Sequence, residues 1–249
     1  MQVIVDGLMT SYSRAGKGKQ VLLLHGWADK SASWQAFANE LARHYEVIVP
    51  DLPGFGGTQT PTDTWDLNSY AGFVAKLVKK LGLSPYCIIG HSNGGGIAIR
   101  GLASGELTAQ KLVVLAGAGI RTGRPAQKTA LKLAAKTGKM LAKPLPTRLQ
   151  RKLRSKLYQR VGSDMLVAEH MQETFKKVVT DDVQNDARHL ATTTLLVYGQ
   201  QDTETPVQHG MLFHELIEGS TLEVIPEVGH FLHLENQERV VQLVEEFLA

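Results

Sequence analysis

The pentapeptide Gly90-His91-Ser92-Asn93-Gly94 restricts what this chain can fold into more than any other feature. It follows the apolar run Cys87–Ile89 and opens a helix-compatible segment, Gly94–Ser104. A serine therefore stands on a strand-to-helix turn between two glycines. Such a turn lifts the hydroxyl out of the sheet and drives the serine backbone toward strained angles, while small residues at 90 and 94 let neighbouring backbone pass. G-x-S-x-G is a short pattern, and a glycine-rich turn without chemistry is the alternative. The strand before it and the helix after it supply the context of a nucleophile elbow.

Short runs of Val, Ile and Leu recur at Val21–Leu24, Val47–Val49, Cys87–Ile89, Leu112–Leu115, Leu195–Tyr198 and Leu222–Ile225, each ending near Gly, Pro or Asp. They predict buried parallel strands. Helix-compatible segments sit at Ser33–Arg43, Asn68–Leu81, Gly94–Ser104, Val207–Ile217 and Gln237–Leu248. The alternation predicts an α/β fold, with a mostly parallel central sheet and helices on both faces. It is interrupted once, by about eighty residues of helical pattern between Leu115 and Leu195. That interruption predicts a helical lid inserted at 119–191 into a core made of 1–118 and 192–249. The 249 residues are enough for one full-sized core.

With 43% hydrophobic and 20% charged residues, the chain falls outside the disordered and collagen-like classes. Its longest apolar runs are strand-sized, short of the ~20 residues that span a bilayer, so an integral membrane protein is not expected. The segment Met1–Gly7 lacks the basic start and apolar core of a secretory signal, which leads to the expectation of a cytoplasmic protein. Cys87 is the single cysteine and cannot form an internal disulfide. Its apolar neighbours predict a buried strand thiol, not a reactive one.

A serine hydroxyl is a weak nucleophile at neutral pH and needs a base. Of nine histidines, His230 follows Gly229 in a loop just after the run Leu222–Ile225, and sheet-end loops gather functional groups. A carboxylate must fix the base's tautomer and stabilise its charged form. Asp202 directly follows the run Leu195–Tyr198 and its Gly199 turn, with Glu204 as a weaker rival. The alternatives are a loop histidine and a helix-capping aspartate. The order Ser92, Asp202, His230 matches the chain order of nucleophile-elbow hydrolases. Acyl transfer also needs two preorganised donors for the oxyanion, each worth about 10²–10³ in rate. The backbone N–H groups of Asn93 and Trp27 are the candidates. Gly26 lets the chain turn beside the substrate, and His25 reads as a structural hydrogen-bonding residue. With Gly90, His91 and Gly94 these two residues support the oxyanion loop and the elbow. No metal or cofactor is called for.

At these residues the chain resembles the α/β-hydrolase superfamily over nearly its whole length apart from the lid. The resemblance rests on His25-Gly26-Trp27, on Asp51-Leu52-Pro53-Gly54-Phe55-Gly56, on the Ser92 elbow, on the Asp202 turn and on Gly229-His230. It implies the α/β-hydrolase fold and a Ser92–His230–Asp202 triad. The superfamily includes esterases, lipases, thioesterases, carbon–carbon bond hydrolases of ring-cleavage products, cofactor-free haloperoxidases, epoxide hydrolases and dehalogenases. The last two carry an aspartate where this chain has Ser92, so the resemblance favours an ester-type acyl enzyme. Trp27 and the following turn are also similar to the pimeloyl-acyl-carrier-protein methyl ester esterases, although His91 and Asn93 depart from their Trp and Leu. Ring-cleavage hydrolases usually carry a glycine-richer oxyanion loop.

Charge is uneven. From Leu107 to Ser163 there are fourteen Lys or Arg and no Asp or Glu, which leaves 13 basic against 24 acidic residues elsewhere. A basic lid on an acidic body follows, with three readings: a solvated lid face, a surface for an acidic partner such as an acyl carrier protein, or an anionic membrane surface. Nucleic acid is not expected, because 121–156 has no aromatic residue to stack on bases. The expected activity is hydrolysis of a carboxylic ester or thioester of a small or medium apolar acyl group. The alternatives are carbon–carbon hydrolysis or cofactor-free peroxidation by the same triad, or slow-turnover ligand reception.

Overall fold

The computed structural model describes residues 1–121 and 171–249. Elements are numbered in chain order among these residues. Strands β1 (Gln2–Val5), β2 (Leu8–Gly16), β3 (Gln20–Leu24), β4 (Glu46–Pro50), β5 (Pro85–His91), β6 (Lys111–Leu115), β7 (Thr193–Gly199) and β8 (Thr221–Ile225) form one sheet. Its order is β1-β2-β4-β3-β5-β6-β7-β8. The pairs β1–β2 and β2–β4 are antiparallel, and every pair from β4 to β8 is parallel. The helices are α1 (Gln35–Leu41), α2 (Leu67–Lys80), α3 (Asn93–Ala103), α4 (Gln172–Thr180), α5 (Gln184–Arg188), α6 (Val207–Leu216), α7 (Leu232–Glu235) and α8 (Gln237–Leu248).

Alternation along the strands divides the core into two layers, because successive side chains of a strand point to opposite faces. Leu22, Leu24 and Ile48 pack with Tyr70 and Val74 of α2, Ile97 of α3 and Phe213 of α6. Val21, Leu23, Val47 and Ile89 pack on the other face with Phe37 and Leu41 of α1 and with Val240 and Val244 of α8. Cys87 belongs to this second layer and is fully buried, and burial pushes its thiol pKa up. All six strands read from the sequence are present, and all five helix-compatible segments contain a helix, the first of them entered through a 3-10 turn at Ser31–Trp34.

Two differences have physical causes. The antiparallel β1 and β2 were not read as strands, because they mix exposed and inward residues: Thr10 and Tyr12 are buried between more exposed neighbours. The run read as a buried strand at Leu222–Ile225 is the sheet's other edge, where Ile225 is buried and Val224 is 38% exposed. Most of the expected lid, 122–170, lies outside the described residues, as do Lys128–Lys143 and the rest of the basic segment within it. Of the remainder, α4 and α5 pack on the core: Val178, Val183, Ala187 and Leu190 join the first layer. Arg100 of α3 ties them down through Asp181 at 3.0 Å and Asp186 at 2.7 Å. No described helix is long and apolar enough to cross a membrane.

Candidate active site

Ser92 lies between β5 and α3 with φ 51° and ψ −116°. A non-glycine residue held outside the common backbone regions costs about 1–3 kcal/mol and persists only where its surroundings enforce it. They do so here. The Ser92 N–H donates to the Leu115 carbonyl at 2.9 Å, and its own carbonyl accepts from Gly95 and Ala118, each at 3.0 Å. The flanking glycines are needed for space. A Cβ on Gly94 would lie 2.2 Å from the Leu24 carbonyl oxygen, and one on Gly90 would lie 2.5 Å from the Gly94 carbonyl oxygen.

The loops after β7 and β8 meet because Gly199 lacks a side chain, whose Cβ would sit 2.2 Å from the Gly229 carbonyl oxygen. Gln201 N–H donates to the Val228 carbonyl at 2.8 Å and fixes the two loops to each other. This docking brings Asp202 Oδ2 to 2.8 Å from His230 Nδ1. The Asp202 side chain is fully buried and that of His230 is 8% exposed. Asp202 Oδ1 accepts the backbone N–H groups of Glu204 at 2.8 Å and Thr205 at 3.0 Å. Burial works to raise the Asp202 pKa, but the hydrogen bond and charge of His230 and the Thr205 donors outweigh it, so the carboxyl ends below its usual value. With Asp202 on Nδ1, the proton of neutral His230 stays there and Nε2 is left as the basic atom.

Three residues complete the support of His230. The Thr205 hydroxyl lies 2.8 Å from Asp202 Oδ2, 2.9 Å from the Ala116 carbonyl and 3.2 Å from His230 Nδ1. His91 Nε2 meets the His230 carbonyl at 3.0 Å, which ties the elbow to the histidine loop. Glu235 accepts the N–H groups on both sides of His230, from Gly229 at 2.6 Å and Phe231 at 3.0 Å. Thr205 and Glu235 were not singled out in the sequence. Their spacings, three residues after Asp202 and five after His230, are also those of an ordinary turn and an ordinary helix start. Glu204, the rival acid, sits on the other edge of the ring, with Oε2 3.6 Å from Nε2.

His25 is fully buried and holds the loop after β3 in place. Its Nε2 accepts from Leu52 N–H at 2.9 Å, so Nδ1 carries the proton and donates to the Gly26 carbonyl at 2.7 Å. Burial lowers its pKa, in keeping with a neutral ring. A Cβ on Gly26 would lie 3.3 Å from Ser92 Cβ, so this loop runs directly over the elbow. The next residue, Trp27, packs edge-on against Phe55 at 4.8 Å and tilted against Phe175 at 5.2 Å. Asn93 is the first residue of α3, where backbone amides have no intrahelical acceptor. Its side chain is buried, and Nδ2 has no partner among the described residues. Among the described residues no cluster of His, Cys, Asp or Glu is arranged to hold a metal.

The fold is that of an α/β hydrolase. The sequence profile of the alpha/beta hydrolase family matches residues 21–243, and the chain belongs to that family. It is 24% identical to the 2-hydroxy-6-oxo-2,4-heptadienoate hydrolase of Pseudomonas putida, over 99% of this chain and 95% of the relative. Among solved structures, a meta-cleavage product hydrolase from Pseudomonas fluorescens superposes with a TM-score of 0.76 at 23% identity, covering 99% of this chain and 96% of that one. An esterase from Exiguobacterium antarcticum superposes with a TM-score of 0.76 at 24% identity, covering 98% and 97%.

Proposed function

We propose that the chain is a serine hydrolase that cleaves a carboxylic ester or thioester of a small or medium apolar acyl group through an acyl enzyme. The observation that carries this reading is the buried Asp202–His230 pair at 2.8 Å, tied through His91 to an elbow whose serine is held at φ 51°. Ser92 Oγ attacks the carbonyl carbon as its proton passes to His230 Nε2. The oxyanion is received by the N–H groups of Asn93 and Trp27. The tetrahedral adduct collapses when Nε2 returns the proton to the leaving group, and a water activated by the same nitrogen then releases the acid. Asp202 holds the imidazole and stabilises its charged form without taking the proton. His25, Gly26, Gly90, His91 and Gly94 shape the two loops. The lid at 119–191 selects the substrate, and its basic segment is a candidate surface for an acidic partner.

A second reading, carbon–carbon bond hydrolysis by the same residues, is favoured by the P. putida relative, which matches over nearly its full length and is named for a 2-hydroxy-6-oxo-dienoate. Turnover of p-nitrophenyl esters of increasing chain length, set beside a ring-cleavage 2-hydroxy-6-oxo-dienoate, separates the two. The ester reading expects kcat/KM to peak at one acyl length and to exceed that for the dienoate. The reverse order would make the carbon–carbon hydrolase the better account.

A further inference from the structure

His230 lies between two carboxylates. Asp202 takes Nδ1, and Glu204 Oε2 stands 3.6 Å from Nε2, the nitrogen that exchanges protons with Ser92 and the leaving group in the mechanism above. The two carboxylates differ in setting: the Asp202 side chain is fully buried, whereas that of Glu204 is 47% exposed. Chain geometry produces the pair. The Asp202 carboxylate accepts the Glu204 and Thr205 amides and closes a tight turn, and the turn carries the Glu204 side chain to the opposite edge of the ring.

We infer that Glu204 is a positioning residue for the general base, a second carboxylate that stabilises the His230 imidazolium from the Nε2 edge while that nitrogen carries the proton taken from Ser92. The inference rests on the serine-hydrolase reading for its catalytic meaning. The charge pair itself does not depend on that reading. No proton passes to Glu204: the O–H bond of Ser92 breaks, the N–H bond at Nε2 forms, and Glu204 contributes negative charge beside it. At 3.6 Å the contact is too long for a hydrogen bond, and it becomes a charge pair only while His230 is protonated.

Among the described residues, the other groups facing His230 are fixed in character. Asp202 and the Thr205 hydroxyl lie at Nδ1. His91 stands 4.9 Å away between ring centroids, with its pKa lowered to about 3 by burial and by its histidine neighbours. His233, whose ring is 5.2 Å from that of His91, has a pKa lowered to about 4 by burial, so both rings are neutral at pH 7. The Glu235 carboxylate is engaged by the Gly229 and Phe231 amides. Glu204 is thus the carboxylate set against the reacting nitrogen.

A carboxylate this close favours the charged imidazole, and partial exposure keeps the effect modest. The test is Glu204→Gln in the full chain, with two readouts. Imidazole NMR titration, with the His230 resonance assigned by its loss in His230→Gln, is expected to show the variant's His230 titrating lower by about 0.2–0.7 pH units, a shift that shrinks in 1 M salt. Ester kinetics are expected to show the acid limb of kcat/KM moving to lower pH by the same amount, with a plateau about two- to fivefold lower. A merely structural residue would lower the plateau without moving the limb. An unchanged His230 titration in Glu204→Gln would overturn the inference. A shifted titration in a chain that cleaves neither ester nor dienoate would keep the charge pair and overturn the serine-hydrolase reading instead.

Discussion

At the scale of single residues, the Asp202 carboxylate is committed at every position: two backbone amides on Oδ1, the imidazole and the Thr205 hydroxyl on Oδ2. An amide in its place offers N–H where Nδ1–H needs an acceptor and favours the wrong tautomer. Asp202→Asn is therefore expected to lose about 10³–10⁴ in kcat with an unchanged circular-dichroism spectrum. A loss under tenfold would mean that the Asp202 carboxylate does not set the working tautomer of His230. Thr205→Val keeps the volume and removes the hydroxyl between Asp202 and Ala116, and is expected to lower stability by about 1.5–3 kcal/mol in urea titration. The proposed site residues Ser92, Asp202 and His230 were legible because each lies within five residues of the end of an apolar strand, in the order the resemblance implies. Thr205, Glu235 and the edge-specific place of Glu204 were not, since they act through backbone amides and ring edges that only the docking of the two loops defines.

At the scale of elements, the elbow depends on how closely α3 approaches β3. A methyl group at position 94 meets the Leu24 carbonyl oxygen at 2.2 Å, and backbone cannot step aside as a side chain end can. Gly94→Ala is expected to cost about 1–3 kcal/mol in stability and to abolish reactivity of Ser92 toward an active-site titrant. A variant of wild-type stability and reactivity would mean that the elbow is looser than its contacts imply. The central parallel strands were legible because burial on both faces makes them continuous apolar runs. The hairpin β1–β2 was not, because at this end of the sheet exposed and buried residues alternate and the inward positions of β2 include Thr10.

At the scale of the whole molecule, two buried imidazoles couple folding to pH. His233 stacks on Trp34 with centroids 3.6 Å apart and planes 13° from parallel. Neither of its nitrogens, nor His91 Nδ1, has a partner among the described residues. In the folded chain burial lowers their pKa values from 6.5 to about 3 for His91 and about 4 for His233. Between those limits the unfolded chain binds more protons, so stability is full above about pH 6.5 and falls as pH drops toward 3–4, by up to roughly 3–5 kcal/mol per histidine. His233→Phe keeps the ring on Trp34 and removes one titration, so the urea midpoint is expected to fall less between pH 7 and pH 4.5 than in the wild type. An equal fall in both would show that His233 is not titrated by unfolding.

The alternation of strands and helices shows the parallel core of the sheet from the sequence alone, whereas it does not choose between ester and carbon–carbon chemistry. Everything proposed for the site depends on Ser92 being an activated nucleophile. Labelling of the wild-type chain and of Ser92→Ala with a fluorophosphonate probe tests that directly. The account expects stoichiometric labelling of the wild type, none of Ser92→Ala, and labelling slowed by about 10³-fold or more in His230→Gln. A folded wild-type chain that stays unlabelled, or a Ser92→Ala variant that labels as well as the wild type, would contradict it.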